Sequence, residues 1–142
     1  MRQHRKMRDE AGQALLEFAM VLPLLLLLVL GLLEFARAWN VQQVLTDAAR
    51  EAARRGVIAS TPPADSAGVT ETVQEALTHA SLDPGKASVE VSVEGSWPGV
   101  RGKPMTVAVS YPYQFVYVGR LLSWATGTDA ITLHTSIVMR KE

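Results

Sequence analysis

A chain of 142 residues with 14 basic and 14 acidic side chains has no formal net charge, so no overall positive field would attract nucleic acid. The chain has no cysteine, which excludes disulfides, thiolate metal sites and a cysteine nucleophile. Its three histidines lack the spacing of metal ligands, and we expect neither a metal nor another cofactor.

A short basic leader precedes an almost unbroken apolar run that reaches Leu33 and contains one early acid, Glu17. The basic residues of the leader are Arg2, Arg5, Lys6 and Arg8. About 20 apolar residues suffice to cross a bilayer, so residues 13–33 are predicted to span a membrane. The positive-inside bias then places the leader, residues 1–12, in the cytoplasm and the remainder of the chain outside.

A secretory signal peptide is the alternative reading of this N-terminus. The basic start suits it, and Ala36-Arg37-Ala38 would serve as the cleavage site. However, the apolar run is long for a signal peptide, and the helical pattern continues through that site. These two features favour a membrane helix that is retained.

Glu17 and Gly12 together suggest that the leader is removed. A carboxylate within a bilayer costs a few kcal/mol, so Glu17 is either functional or lies at the headgroup boundary of a span that begins at Phe18. Cleavage between Gly12 and Gln13 would create an α-amino group at Gln13. That amine could neutralise Glu17 of its own or a neighbouring subunit and so set the register of parallel helices. Gly12 could equally be a plain linker glycine.

Two features mark the course of the long helix: a proline within the predicted span and an amphipathic pattern beyond it. Pro23 lacks an N–H, so a bend or local break is expected there. Apolar residues then recur at steps of three and four, which predicts an extramembrane extension of the helix over residues 34–59, stopped by Thr61-Pro62-Pro63. Small side chains on this extension would let another element pack closely, or would be ordinary core alanines. They are Ala48, Ala49, Ala52 and Ala53.

Residues 60–142 are predicted to form a small extracytoplasmic α+β domain. Val69–Leu82 has the pattern of a short amphipathic helix, ended by Asp83-Pro84-Gly85. Three later segments alternate with period two and predict strands: 88–94, 105–111 and 131–139. Tyr113–Leu122 lacks a clear period and is expected to be an irregular crossover or a short helix.

The predicted fold class is therefore α+β: a long N-terminal helix, a short second helix and a small three-stranded antiparallel sheet. Such a sheet needs a helix against its valine face, and the extramembrane half of the long helix is the expected cover.

The sequence contains no recognised catalytic motif, neither GxSxG, HExxH nor a P-loop, and we expect no enzyme activity. A membrane-tethered hydrolase would have to use residues such as Asp129 or His134. Asp129 follows glycine and threonine as a turn former, and His134 alternates within a strand as an exposed side chain would.

Three segments stand out together: residues 12–23 (GQALLEFAMVLP), 31–37 (GLLEFAR) and 48–54 (AAREAAR). They resemble the TadE-like family, the pseudopilins of the tight-adherence (Flp) pilus within the type IV pilus superfamily. The closing segment, residues 131–140, is also similar to the last strand of that family.

The resemblance implies that a membrane-embedded prepilin peptidase cuts after Gly12, so that Glu17 becomes the fifth residue of the mature chain. Phe18 takes the place where major Flp pilins usually have tyrosine. The implied function is a non-catalytic minor pilin-like subunit that supports assembly of the pilus, adherence and biofilm formation. The alternative is a single-pass membrane-anchored binding module that is neither processed nor assembled.

The same resemblance implies a location and partners. The protein would lie in the bacterial inner membrane with its N-terminus in the cytoplasm, and it could also enter a pilus. Its partners would be other pilin and pseudopilin subunits through the N-terminal helix, the prepilin peptidase, the pilus assembly machinery and the lipid bilayer, with no nucleic acid.

Overall fold

A computed structural model of the chain describes residues 2–58, 66–97 and 99–141. The elements in chain order are α1 (Arg2–Val57), α2 (Ser66–His79), a 3-10 turn (Pro84–Lys86), β1 (Ser88–Val93), β2 (Pro104–Gln114), α3 (Gly119–Thr126) and β3 (Ala130–Arg140). The strands form one antiparallel sheet in the order β1-β2-β3. The predicted α+β class, with a long first helix and a three-stranded antiparallel sheet, is confirmed.

α1 is a single helix of 56 residues, which at 1.5 Å rise per residue is about 84 Å long. Pro23 lies inside it, and the helix continues through this position without a break, so the predicted local break is wrong and a bend remains a prediction. The residues in the turn before Pro23 are apolar and mostly exposed, so no neighbouring element has to accommodate the proline ring. The predicted stop at Thr61-Pro62-Pro63 and the predicted end at position 59 lie outside the described residues.

The second half of α1 contributes its buried apolar residues from Val41 to Val57 to the domain core, and we call this part of the helix the spine. Val41 and Leu45 are buried with the apolar faces of α2 and the sheet. The four small residues of the extension are buried in the same core: Ala48, Ala49, Ala52 and Ala53. Because their side chains end at Cβ, they let the neighbouring elements of this chain approach the helix closely.

The sheet buries one face against the helices and leaves the other in solvent. Val107 and Val109 of the central strand point into the core, and Val109 pairs with Val89 of β1. β2 continues to Gln114, so the predicted end at Tyr111 is wrong. Pro112 is tolerated because β1 pairs only as far as Ser110, which leaves that side of β2 unpaired. α3 provides the short helix expected in the following crossover.

α2 begins and ends three residues earlier than predicted. Its end is set by Ser81, which adopts a left-handed conformation with φ of 58°. The Leu82 amide donates to the Leu77 carbonyl at 2.9 Å, and the Ser81 amide donates to Thr78 at 3.0 Å. This pair of bonds is the Schellman arrangement, which closes a helix at the residue before the left-handed one.

The domain lies alongside α1 in a defined axial order. The Tyr113 hydroxyl contacts Glu34, whereas Met105, at the other end of β2, lies against Gly56. Lys141, just after β3, also reaches the Gly56 carbonyl. Glu34 and Gly56 are about 33 Å apart along the helix. The two ends of the sheet are therefore distinct, and the end near Glu34 adjoins the apolar half of α1.

Candidate functional site

The first half of α1 presents an apolar surface that nothing in the described chain covers. The large side chains from Leu15 to Leu33 are mostly exposed, with Leu24 at 68%. By its length and composition, this is the one helix of the described residues that could cross a membrane. The structure is therefore consistent with a membrane-anchored protein.

The residues predicted to act in processing and assembly lie at the start of this surface. Glu17 and Phe18 are both exposed. The Gln13 side-chain amide donates a 3.0 Å hydrogen bond to the Glu17 carboxylate, one helical turn away. A Cβ added at Gly12 would meet no described atom within 4 Å, so there is space for a side chain in that direction. Among the described side chains of the intact chain, the partner of Glu17 is thus that of Gln13.

A second carboxylate, Glu34, lies at the junction between the apolar half of α1 and the domain. It is only 2% exposed. Its carboxylate accepts three hydrogen bonds: from the Tyr113 hydroxyl at 2.6 Å, the Tyr117 amide at 2.8 Å and the Val116 amide at 3.1 Å. All three partners are donors, and such a set favours a charged, acceptor-only carboxylate.

The phenol of Tyr113 responds to the same environment. Burial raises the pKa of Tyr113, and the hydrogen bond to Glu34 and the charge of that carboxylate raise it further, to about 12. Tyr113 therefore remains a neutral donor throughout the physiological range. Phe115 packs edge-on against its ring, with centroids 5.7 Å apart.

Arg37, one turn beyond Glu34, contacts the same turn from the outside. Its guanidinium carbon lies 5.6 Å from the centroid of the Tyr117 ring, and its Nη1 donates to the Tyr117 hydroxyl at 3.5 Å. The turn after β2 is therefore attached to α1 by a buried carboxylate and by an exposed cation–π contact. A groove of about 710 Å³ opens beside it, lined by groups that include Arg37 and Lys86.

Sequence reasoning alone did not assign a role to Glu34. Two signals were present: Glu34 is the first charged residue after the apolar run, and Tyr113–Tyr117 is an aromatic segment with no strand period. Neither signal identifies the partner of the other, because the two segments are joined only in the folded chain.

The described residues offer no catalytic or metal-binding arrangement. No group of three or more His, Cys, Asp or Glu side chains in these residues could hold a metal ion. Ser110 Oγ lies 3.0 Å from His134 Nδ1 on the solvent face of the sheet. In the described part of the chain, the His134 ring has no carboxylate hydrogen-bonded to it, and the pair therefore lacks the third group that orients the base in a triad.

Comparisons with known proteins bear on the first helix. A model of the family described as TadE-like protein matches residues 12–54, which comprise the exposed apolar surface and most of the core spine. No curated protein and no solved structure matches the chain. The TadE-like family is pilus-associated and generally non-catalytic. The resemblance found in the sequence is thereby confirmed over residues 12–54, and over this segment, which is less than half of its length, the chain is similar to the TadE-like proteins.

Proposed function

We propose that this protein is a non-catalytic pseudopilin, a minor pilin-like subunit that supports assembly of a tight-adherence pilus and, through it, adherence and biofilm formation. Residues 13–33 span the bacterial inner membrane, the leader lies in the cytoplasm, and the small α+β domain lies outside. The observation that carries this proposal is the division of one continuous helix, α1, into an exposed apolar half and a half that forms the spine of the domain.

This division suits lateral assembly in the membrane. Neighbouring subunits can pack through the apolar half of α1 without disturbing the domain, because the domain core uses only the half beyond Leu33. In this proposal the partners are other pilin and pseudopilin subunits and the assembly machinery. The alanines from Ala48 to Ala53 are assigned to the core of the subunit, since they are already covered by its own elements.

Leader removal is the second part of the proposal. A prepilin peptidase cuts after Gly12, where an added Cβ would meet no described atom within 4 Å. The new amine at Gln13 then replaces the Gln13 side-chain amide as the partner of Glu17. An amine carries a full positive charge near neutral pH, and it therefore compensates a carboxylate in lipid better than a neutral amide does.

The junction at Glu34 supports a retained helix over a cleaved signal peptide. A cut after Ala38 would remove Glu34 and Arg37 from the chain. Tyr113 and the amides of the following turn would then lose their acceptor, and an unsatisfied buried donor costs about 1–3 kcal/mol.

Mass spectrometry of the protein purified from cells that contain the pilus system tests the proposal. We expect the mature chain to begin at Gln13. Gly12→Leu should block cleavage by crowding the small-residue pocket of the peptidase, and the intact leader should persist. Gly31→Leu is the matched control, because a Cβ at Gly31 also meets no atom within 4 Å, and it should be processed normally.

The anchored binding module is the second candidate, and the groove beside Arg37 and Lys86 is the observation that favours it. A wild-type protein that keeps its Met1 start in those cells, at normal abundance in the membrane, would support this module and contradict the pseudopilin.

A further inference from the structure

The loop between β2 and β3 lies at the end of the sheet that faces the apolar half of α1. The last pair of the sheet joins Gln114 to Ala130, and the Phe115 amide extends it by donating to the Asp129 carbonyl at 3.0 Å. The segment between Phe115 and Asp129, which includes α3, therefore begins and ends at this end of the sheet.

Glu34 fixes how far along α1 this loop lies. Its carboxylate accepts from the amides of Val116 and Tyr117, so the first turn of the loop is level with the residue that follows Leu33. No flexible linker separates the two, because α1 is continuous through this point. If residues 13–33 span the bilayer, the loop is held at the surface of that bilayer.

The side chains that the loop exposes are those typical of a membrane interface. Trp124 is 85% exposed, Val116 58% and Tyr117 50%. Tryptophan and tyrosine are enriched at the level of the lipid headgroups, where an apolar ring with one polar atom is favoured. Arg120 is exposed at the start of α3 and could meet lipid phosphates, while the exposed Asp129 lies at the base of the loop.

We infer that the segment from Val116 to Gly127 is a membrane foot, which inserts Trp124, Tyr117 and Val116 into the headgroup region of the outer leaflet. The inference rests on the proposed span, and it adds a second contact between the domain and the membrane. The foot and α1 together hold the domain at a fixed tilt, which would orient its remaining faces toward neighbouring subunits.

A lipid surface is a better occupant than a second copy of the chain because this surface continues that of the span. Leu32 and Leu33 are exposed immediately beside Glu34, whose carboxylate binds the first turn of the loop. A protein partner that covered Trp124 would have to approach at the level of the headgroups and displace lipid that is already there.

Depth-dependent quenching of tryptophan fluorescence in proteoliposomes tests this inference on the full chain. Three variants each contain a single tryptophan. The foot reporter, Trp39→Phe/Trp97→Phe, keeps Trp124. The distal control, Trp39→Phe/Trp124→Phe, keeps Trp97, which lies in the β1–β2 loop at the far end of the sheet. The span reporter replaces all three tryptophans by phenylalanine and adds Leu28→Trp.

Nitroxide lipids labelled at the headgroup should quench Trp124 and leave Trp97 at its unlabelled intensity, whereas a label at mid-chain should quench the Leu28→Trp reporter. If the span reporter is quenched but Trp124 is no more quenched than Trp97, the foot is wrong and the span holds. If the span reporter is not quenched, the proposed membrane placement fails and the foot fails with it.

Two further measurements distinguish a lipid contact from loss of folding and from coverage by a second copy of the chain. In a chain that carries Trp39→Phe but keeps Trp97, Trp124→Ser should remove most of the quenching by the headgroup label, which avoids any loss of folding from Trp97→Phe. If Trp124 is instead shielded from aqueous acrylamide, but only at high protein density and without quenching by lipid, it is covered by a second copy, and the inference is overturned.

Discussion

The Tyr113 hydroxyl donates a 2.6 Å hydrogen bond to the carboxylate of Glu34, 79 positions earlier in the chain, and both side chains are buried. Glu34 is the first residue after the apolar surface of α1, and Tyr113 is the second-to-last residue of the central strand. The bond therefore fixes the domain to the helix at the point where the helix would leave the membrane. A force applied to one is transmitted to the other without an intervening linker.

Removing this hydroxyl should destabilise the domain measurably. Tyr113→Phe leaves the buried Glu34 carboxylate with two donors in place of three, and the loss of a hydrogen bond to a charged group costs about 1.5–3 kcal/mol. Urea unfolding of the full chain in detergent micelles measures the change. Tyr111→Phe is the control, because Tyr111 is equally buried and its hydroxyl has no hydrogen bond within the described residues. Equal losses in the two variants would contradict the role of the bond.

The same phenol should make stability depend on pH in the alkaline range. Its pKa is about 12 in the folded chain and 10.0 as the ordinary value. The folded state thus holds the proton more tightly, so this contribution is fully present below pH 10 and is lost as the pH rises toward about 12. Unfolding free energies at intervals across this range, with a phenolate absorbance titration, measure it. Tyr113→Phe should remove this part of the decline, and an unchanged decline would contradict the assignment.

Local patterns in the sequence predicted most of the fold, because helices and strands each have their own spacing of apolar residues. The three- and four-residue steps through Val41 and Leu45 gave the core face of α1, and alternation gave the three strands. Boundaries were less accurate where a tertiary or a backbone feature decides them. Ser81 ends α2 in a left-handed conformation that few non-glycine residues adopt, and Pro112 is accommodated in β2 only because β1 stops short.

The residues of the candidate site also fall into two groups, those with a local sequence signal and those without one. Roles for Gly12 and Glu17 could be proposed from their local spacing, and they remain predictions. The role of Glu34 could not be proposed in this way, because its three donors come from a segment about 80 residues away that has no period of its own. Partner choice of this kind depends on the register of the whole sheet against α1.

A side chain at Gly56 should be destabilising, because the buried Met105 would have to shift. A Cβ at this position would lie 2.5 Å from Met105 Sδ and 3.3 Å from Val69 Cγ2. Alanine favours a helix by up to about 1 kcal/mol over glycine, but overpacking a core costs about 1–3 kcal/mol, so Gly56→Ala should lower the free energy of unfolding. Gly31→Ala, where the Cβ meets nothing, should cause no such loss. Shortening the neighbour with Met105→Val should recover part of the loss. A Gly56→Ala variant as stable as Gly31→Ala would contradict the close packing.

Lys141 should contribute to the end of α1. Its ammonium donates to the Gly56 carbonyl at 3.2 Å, one of the last carbonyls of the helix, which lack partners within it. Lys141→Met keeps most of the apolar stem and removes the donor, and it should cost about 1–2 kcal/mol in thermal or urea unfolding. Arg140→Met changes an exposed neighbour and should be close to neutral. A neutral Lys141→Met would show that water replaces the ammonium at no cost.

Glu17 should be required for assembly but not for insertion into the membrane. Glu17→Ala removes the only charge of the predicted span, so the variant should remain in the membrane fraction and its leader should still be removed. Without the carboxylate, the amine at Gln13 has no partner to set the register, and the number of surface pili and the adherence of the cells should fall to the level of a deletion strain. Gln13→Ala is the matched control. It removes the 3.0 Å side-chain bond seen in the intact chain but leaves a terminal amine after cleavage, so assembly should persist. Normal pili with Glu17→Ala would mean that neither pairing governs how the helices align. Loss of pili with Gln13→Ala alone would mean that the side-chain pair, and not the terminal amine, governs it.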